Sequence, residues 1–260
     1  VFLYDGMGTL QIQGAVALVN QSAGRIEFDA TAPGNIWINI VASQLGDHVR
    51  NMRLLRIEDE FTDLNAKPFY DGFLHKLAPF DALRFMDWGH TNNNPVSAWA
   101  DRRQMSHYTY SGDEGVPFEL MIELSNAVQK DAWVCIPHLA DDNYIAEIAR
   151  LFRDNLDPNL TIYLEYSNEV WNWMFAQAHY NNDNRPSNLG YGRAYSVKSK
   201  NVFDIWYTEF GAAAPTRLRR VIGVQGTNNS LNRELLSPLE QSDWDYASPT
   251  WYFGVNHGAT

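Results

Sequence analysis

From about residue 51 onward, short apolar, β-branched and aromatic runs alternate with segments of helical spacing, and no other feature constrains the fold as much. The runs at 52–57, 83–88 (LRFMDW), 133–137, 161–166 (TIYLEY), 218–224 and 246–253 read as strands. Between them, 69–77, 118–128, 142–156, 194–210 and 231–241 read as helices. The punctuation agrees. Pro117 suits a helix start, Asp141 or Asp142 suits a cap, Asp157-Pro158 suits a stop, and Gly211 ends the 194–210 helix. A long aromatic and Asn/Gly loop is expected from the end of the 161–166 strand to about Arg193, with 181–188 as a solvated polar stretch. Strands alternating with helices build βαβ units around a parallel sheet.

Polar and aromatic residues gather after the C-terminal ends of the strands. They are Asp87, Trp88 and His90; His138, Asp141 and Asp142; Asn168, Glu169 and Trp171; Gln225, Asn228 and Asn229; Trp251 and Tyr252. Such one-sided clustering is the pattern of a (β/α)8 barrel, whose site is built from the loops on that face. No Gly-rich phosphate loop follows the first strand, which weighs against a doubly wound sheet. About six barrel strands are present against the eight needed for closure. The expected fold class is therefore α/β, an incomplete TIM (β/α)8 barrel.

Before it, short β-rich runs at 1–4, 15–20, 25–30 and 36–42 are separated by turns at Asp5-Gly6, Ser22-Ala23-Gly24 and Pro33-Gly34-Asn35. Nothing helical lies between them, so residues 1–50 read as a sandwich-like antiparallel segment and 51–260 as the partial barrel. The chain starts at Val1 inside a strand-like sequence and its last strand finishes near Thr260, so it reads as a piece of a longer protein.

With 260 residues, 45% of them hydrophobic, a substantial core can be buried. A net charge of −11 argues against nucleic acid or an anionic membrane as partner, and no apolar run approaches the ~20 residues of a membrane span. The single cysteine, Cys135, excludes an intrachain disulfide and a Cys-based zinc site; inside the apolar run 133–137 it reads as a buried thiol. His138 near Asp141-Asp142 invites a metal reading, but a helix cap beside a hydrogen-bonded imidazole is simpler, so neither metal nor cofactor is expected. Ser97, Ser106 and Ser111 sit in no nucleophile-elbow pattern.

The stretch TIYLEYSNEVWN, 161–172, carries the sharpest chemical signal. It places a carboxylate beside a carboxamide at the mouth of a buried strand, among indoles. That is what protonating a glycosidic oxygen requires, and burial beside Trp171 and Trp173 would raise the Glu169 pKa toward a general acid's range. Retention needs a second carboxylate ~5–5.5 Å away, and inversion one at ~6.5–9.5 Å. Asp87, Asp141 and Asp142 lie on the correct face; Glu165, on the strand itself, reads as an interior ion-pair group. None of them takes the nucleophile's role. Nine Trp, thirteen Tyr and thirteen Phe suit stacking on pyranose faces and suit a large core equally. Trp88, Trp171, Trp173 and Trp251 could each be either, and two of the four are expected to face the cleft.

At these strand ends the sequence resembles the clan of retaining glycoside hydrolases with a (β/α)8 barrel that contains the family 5 cellulases. It is more closely similar to bacterial proteins often labelled cellulose-binding proteins, through its LRFMDW, PHLADD and YLEYSNEVWN blocks. The resemblance covers most of the chain from about Asn51. It implies that Glu169 is the general acid/base, that Asn168 hydrogen-bonds the sugar 2-hydroxyl, and that Arg84 holds a nucleophile carboxylate ionised. It further implies that His138 binds sugar or tunes the carboxylates and that Tyr252 is an orienting group. The clan's nucleophile is a glutamate ending the seventh strand, and no residue here receives that role. Val170 departs from the family, which commonly has proline after the catalytic glutamate.

The expectation is thus a secreted or periplasmic carbohydrate-active protein acting on a β-linked polysaccharide such as cellulose, the 260-residue chain alone being inactive. Its rival is a non-catalytic polysaccharide-binding protein that keeps an aromatic cleft without the carboxylate pair.

Overall fold

The computed structural model describes residues 1–64 and 66–250, with Thr250 as backbone only. The chain divides into two compact units, Val1–Tyr70 and Asp71–Thr260.

The first unit is all antiparallel. Its strands are β1 (Phe2–Asp5), β2 (Gly8–Gly14), β3 (Val16–Ser22), β4 (Arg25–Ala30), β5 (Ile36–Ser43) and β6 (Arg50–Leu54). One sheet runs in the order β3-β4-β1-β6, and β2 pairs with β5. Strand alternation sends Phe2, Tyr4, Leu10 and Ile26 into a shared core with Val49, and Ile12, Phe28 and Ile38 pack on its rim. At the β1–β2 turn Gly6 has φ +85°, and a Cβ there would stand 2.1 Å from the His48 carbonyl oxygen, so only glycine fits.

The 52–57 run does not open the parallel sheet. Its first three residues, Met52–Leu54, belong to β6, which pairs antiparallel with β1 in the register Phe2↔Leu54 and Leu3↔Arg53, and Ile57 opens a 3-10 turn. So short a run carries no label for its partner, and the open edge of β1 takes it.

In the second unit come α1 (Asp71–Leu77), β7 (Ala82–Arg84), α2 (Phe118–Val128), β8 (Asp131–Ile136), α3 (Asp142–Asn155) and β9 (Ile162–Tyr166). They are followed by α4 (Ala176–Asp183), α5 (Tyr191–Phe210), α6 (Ala214–Arg217), β10 (Leu218–Gln225), α7 (Asn229–Leu236) and β11 (Tyr246–Thr250). The five strands form one parallel sheet in chain order, β7-β8-β9-β10-β11, curled as a half-barrel. Five parallel strands among the described residues, rather than six, follow from the capture of β6 by the first unit.

Period-2 alternation gives this sheet two different faces. Leu83, Ala132, Val134, Ile136, Ile162, Leu164, Leu218 and Ile222 are buried on one. Helix α3 lays Tyr144, Ile145, Ile148, Ala149 and Phe152 inward, the one-sided spacing of an amphipathic helix, and α5 packs beside it through Trp206, 5.9 Å from the Phe152 ring. The Asp141 side chain caps α3 by accepting from the Tyr144 amide at 2.6 Å. The other face carries Arg84, Trp133, Cys135, Tyr163 and Glu165, with Arg84 opposite Trp133 and Cys135 opposite Glu165. Trp133, Tyr163 and Tyr246 make a row of rings with successive centroids 5.8 Å apart.

Helix α4 occupies part of the stretch expected as a loop. Its sequence, AQAHYNND, has no apolar stripe to announce it. Its start is tied instead by the Ala176 amide, which donates to Asn93 Oδ1 at 2.7 Å.

Candidate functional site

A cleft of about 310 Å³ opens on the polar face of the half-barrel, lined by Arg84, Trp133, Glu165, Asn168, Glu169, Phe175 and others. Alternation along β7, β8 and β9 supplies Arg84, Trp133 and Glu165; the turn after β9 supplies Asn168 and Glu169.

That turn is held in an uncommon backbone conformation. Ser167 has φ +58° and Glu169 φ +41°, both left-handed and both non-glycine. Such residues cost of order 1–3 kcal/mol each and persist where their surroundings over-determine them. The surroundings here are hydrogen bonds. The Ser167 amide donates to the Ile136 carbonyl and the Asn172 amide to the Glu169 carbonyl, each at 2.8 Å. The Glu169 carboxylate, half-buried, accepts from Asn172 Nδ2 at 2.9 Å.

Glu165 anchors the floor of the cleft. It is 3% exposed, and its Oε2 accepts from Arg84 Nη2 at 2.9 Å, from Trp133 Nε1 at 2.9 Å and from Cys135 Sγ at 3.5 Å. Burial works against the Arg84 guanidinium, yet the Glu165 carboxylate, through its charge and its hydrogen bond, holds it above its ordinary value, so it stays charged. Burial, reinforced by the Glu165 charge, pushes the Cys135 thiol well up, so it stays protonated and donates.

Arg84 also donates to Asn168 Oδ1 at 3.1 Å, linking the floor to the turn. Asn168 Nδ2 donates to Asn92 Oδ1 at 3.0 Å. Its carboxamide is thus oriented from both ends, oxygen toward Arg84 and nitrogen toward Asn92.

Of the residues singled out by sequence, Arg84, Asn168 and Glu169 are brought together in this cleft. Four others are placed elsewhere. His138 is 3% exposed, with its ring 5.4 Å from Tyr180 and its carbonyl accepting from the Tyr166 hydroxyl at 3.1 Å. Nδ1 of His138 has no hydrogen-bond partner among the described residues, and burial pushes the imidazole down to about 4, so the ring is neutral. Trp88 packs against Phe85 at 5.7 Å and Phe73 at 6.3 Å. Trp171, 8% exposed, meets the Tyr195 ring edge-on at 6.2 Å. Trp173 is 53% exposed and stacks on Tyr191 at 5.3 Å. Both indoles that flank Glu169 in sequence therefore turn to partners of their own. Trp251 and Tyr252 lie outside the described residues.

Sequence reading did not single out Trp133, Phe175, Asn92 or Gln177. Trp133 was signalled by its register opposite Arg84; the other three sit in stretches with no periodic pattern. Among the described residues no three His, Cys, Asp or Glu side chains are grouped to hold a metal ion, and no helix is long and apolar enough to cross a membrane.

The arrangement offers a half-exposed carboxylate on a constrained turn, an oriented carboxamide beside it, a guanidinium within reach of both the floor and the turn, and aromatic walls. That set can donate to and accept from hydroxyls, and a carboxyl at Glu169 can deliver a proton to an oxygen lodged in the cleft. Comparison with protein-family models, with curated proteins and with solved structures returns no match for this chain.

Proposed function

We propose that the protein is carbohydrate-active and that its cleft serves retaining hydrolysis of a β-linked polysaccharide such as cellulose, in a secreted or periplasmic setting. Glu169 protonates the glycosidic oxygen and then, as the base, activates the water that releases the sugar. Asn168 holds a hydroxyl of the sugar beside the scissile bond, and Trp133 and Phe175 offer faces for the ring. The reading rests on one observation above all. The Asn168-Glu169 pair follows a buried parallel strand and shares a cleft with Arg84, whose guanidinium bonds Asn168. No described residue is assigned the nucleophile.

A second reading has its own support. Glu165, the other carboxylate lining the cleft, has one oxygen taken by three donors and is locked to the floor, which suits binding without cleavage. One experiment separates the two. With full-length protein, Glu169→Ala is expected to abolish turnover of an activated aryl β-glycoside while leaving retention on insoluble cellulose unchanged. Turnover that survives the substitution removes Glu169 as acid/base. Cellulose retention by a wild type that cleaves neither substrate establishes the binding reading.

A further inference from the structure

Gln177, in the first turn of α4, is 0% exposed although it is a carboxamide. Buried polar groups must be satisfied, and the partners it has chosen are informative. Nε2 donates to Asn92 Oδ1 at 2.7 Å and to the Asn168 carbonyl at 2.8 Å, while Oε1 accepts from the Asn93 amide at 3.1 Å. Both of its hydrogens and one acceptor site are spent on tying the loop after β7 to the turn after β9.

The Asn168 carbonyl belongs to the peptide group that joins Asn168 to Glu169. A peptide group is planar, so holding its oxygen restrains rotation of the whole plane, and with it ψ of Asn168 and φ of Glu169. That φ is the +41° of Glu169, which decides where the Glu169 side chain leaves the backbone. The same Asn92 oxygen that receives Gln177 also receives Asn168 Nδ2, so one side chain controls the peptide plane directly and the Asn168 carboxamide through Asn92. The far side of the clamp is rigid too. Asn93 has φ +61°, and its own Oδ1 accepts from the Ala176 amide beside Gln177.

We propose that Gln177 is a positioning residue of the cleft: it sets the Asn168–Glu169 peptide plane and so aims the Glu169 carboxylate. The consequence for turnover rests on the hydrolytic reading above; the consequence for the turn does not. The test therefore has two arms. In Gln177→Met, which keeps reach and removes all three hydrogen bonds, amide hydrogen exchange in 167–172 is expected to quicken by about tenfold or more, with β8 and β9 unchanged. The kcat for an aryl β-glycoside should fall by at least about tenfold with KM nearly constant, because aim rather than binding is lost.

Gln177→Glu is the second variant, and it keeps the acceptor for the Asn93 amide. At neutral pH its other oxygen confronts two oxygens, so exchange in the turn should quicken. Acidification should restore one donor and much of the protection, after correction for the intrinsic pH dependence of exchange. Wild-type exchange in 167–172 in either variant at neutral pH overturns the proposal, whether or not the other variant folds. If the wild type turns over no glycoside, the hydrolytic reading falls and the exchange arm alone decides the role of Gln177.

Discussion

The two units use the same device, side chains alternating across a strand, and put the second face to opposite uses. In Val1–Tyr70 the inner faces of two small sheets meet in a core of five buried residues, while β3 and β6 leave nearly every side chain in solvent. In Asp71–Thr260 one face of the sheet is sealed by helices, and the other carries a guanidinium, a carboxylate, a thiol and an indole hydrogen-bonded together, with a phenol ring stacked on the indole. A strand with one committed face is a structural element; a strand with two committed faces can also hold chemistry in place. The difference lies in coverage, since helices on one side leave the opposite side free to be polar without sacrificing the core.

The sharpest way to break this contrast is to remove the cation from the polar face. Arg84→Met leaves the Glu165 carboxylate buried with Trp133 and Cys135 as its remaining donors, and should cost about 3–5 kcal/mol in urea unfolding. Adding Glu165→Gln to it should recover much of that loss, because the uncompensated charge is what destabilises. A double variant as unstable as the single one would mean that the polar face is held by packing alone. Next in size, Leu10→Ala in the small core, where Leu10 is 3% exposed, should cost about 2–5 kcal/mol. Leu18→Ala on β3, where the side chain is 56% exposed, should stay within about 0.5 kcal/mol. Equal effects at the two leucines would show that the first unit does not depend on so few contacts.

A further effect is a slope with pH. The His138 imidazole titrates near 4 in the fold against an ordinary 6.5, so between those values the unfolded chain binds the proton and the folded one does not. Stability from this group is intact above pH 6.5 and is lost as pH falls toward 4, by at most about 1.4 kcal/mol per pH unit. Unfolding midpoints of wild type and His138→Gln, measured from pH 7.5 to 4, should diverge in that window and run parallel above it.

Much of the second unit was legible because its helices and strands obey strict periods. The inward Glu165, a cap at Asp141 or Asp142 and the buried Cys135 follow from position, and the bond to the Tyr144 amide selects Asp141. Partner choice was not legible. The residues of β6 look the same whether they pair with β1 or open a parallel sheet, and only the free edge of β1 decides. Likewise Asn92, Asn93 and Gln177 read as loop residues, since a clamp across 84 or 85 positions of sequence leaves no local pattern. The tryptophans around Glu169 mislead for a related reason: proximity in sequence says nothing about rotamer, and Trp171 finds Tyr195 while Trp173 finds Tyr191.

The lone cysteine gives the parallel sheet a built-in reporter. Cys135 is the one thiol in 260 residues, enclosed between strands, protonated and donating to Glu165. An alkylating reagent needs a thiolate it can reach, and the folded sheet offers neither the charge nor the access. The rate of covalent labelling therefore counts openings of the sheet around β8 and β9, with no second thiol to blur the count.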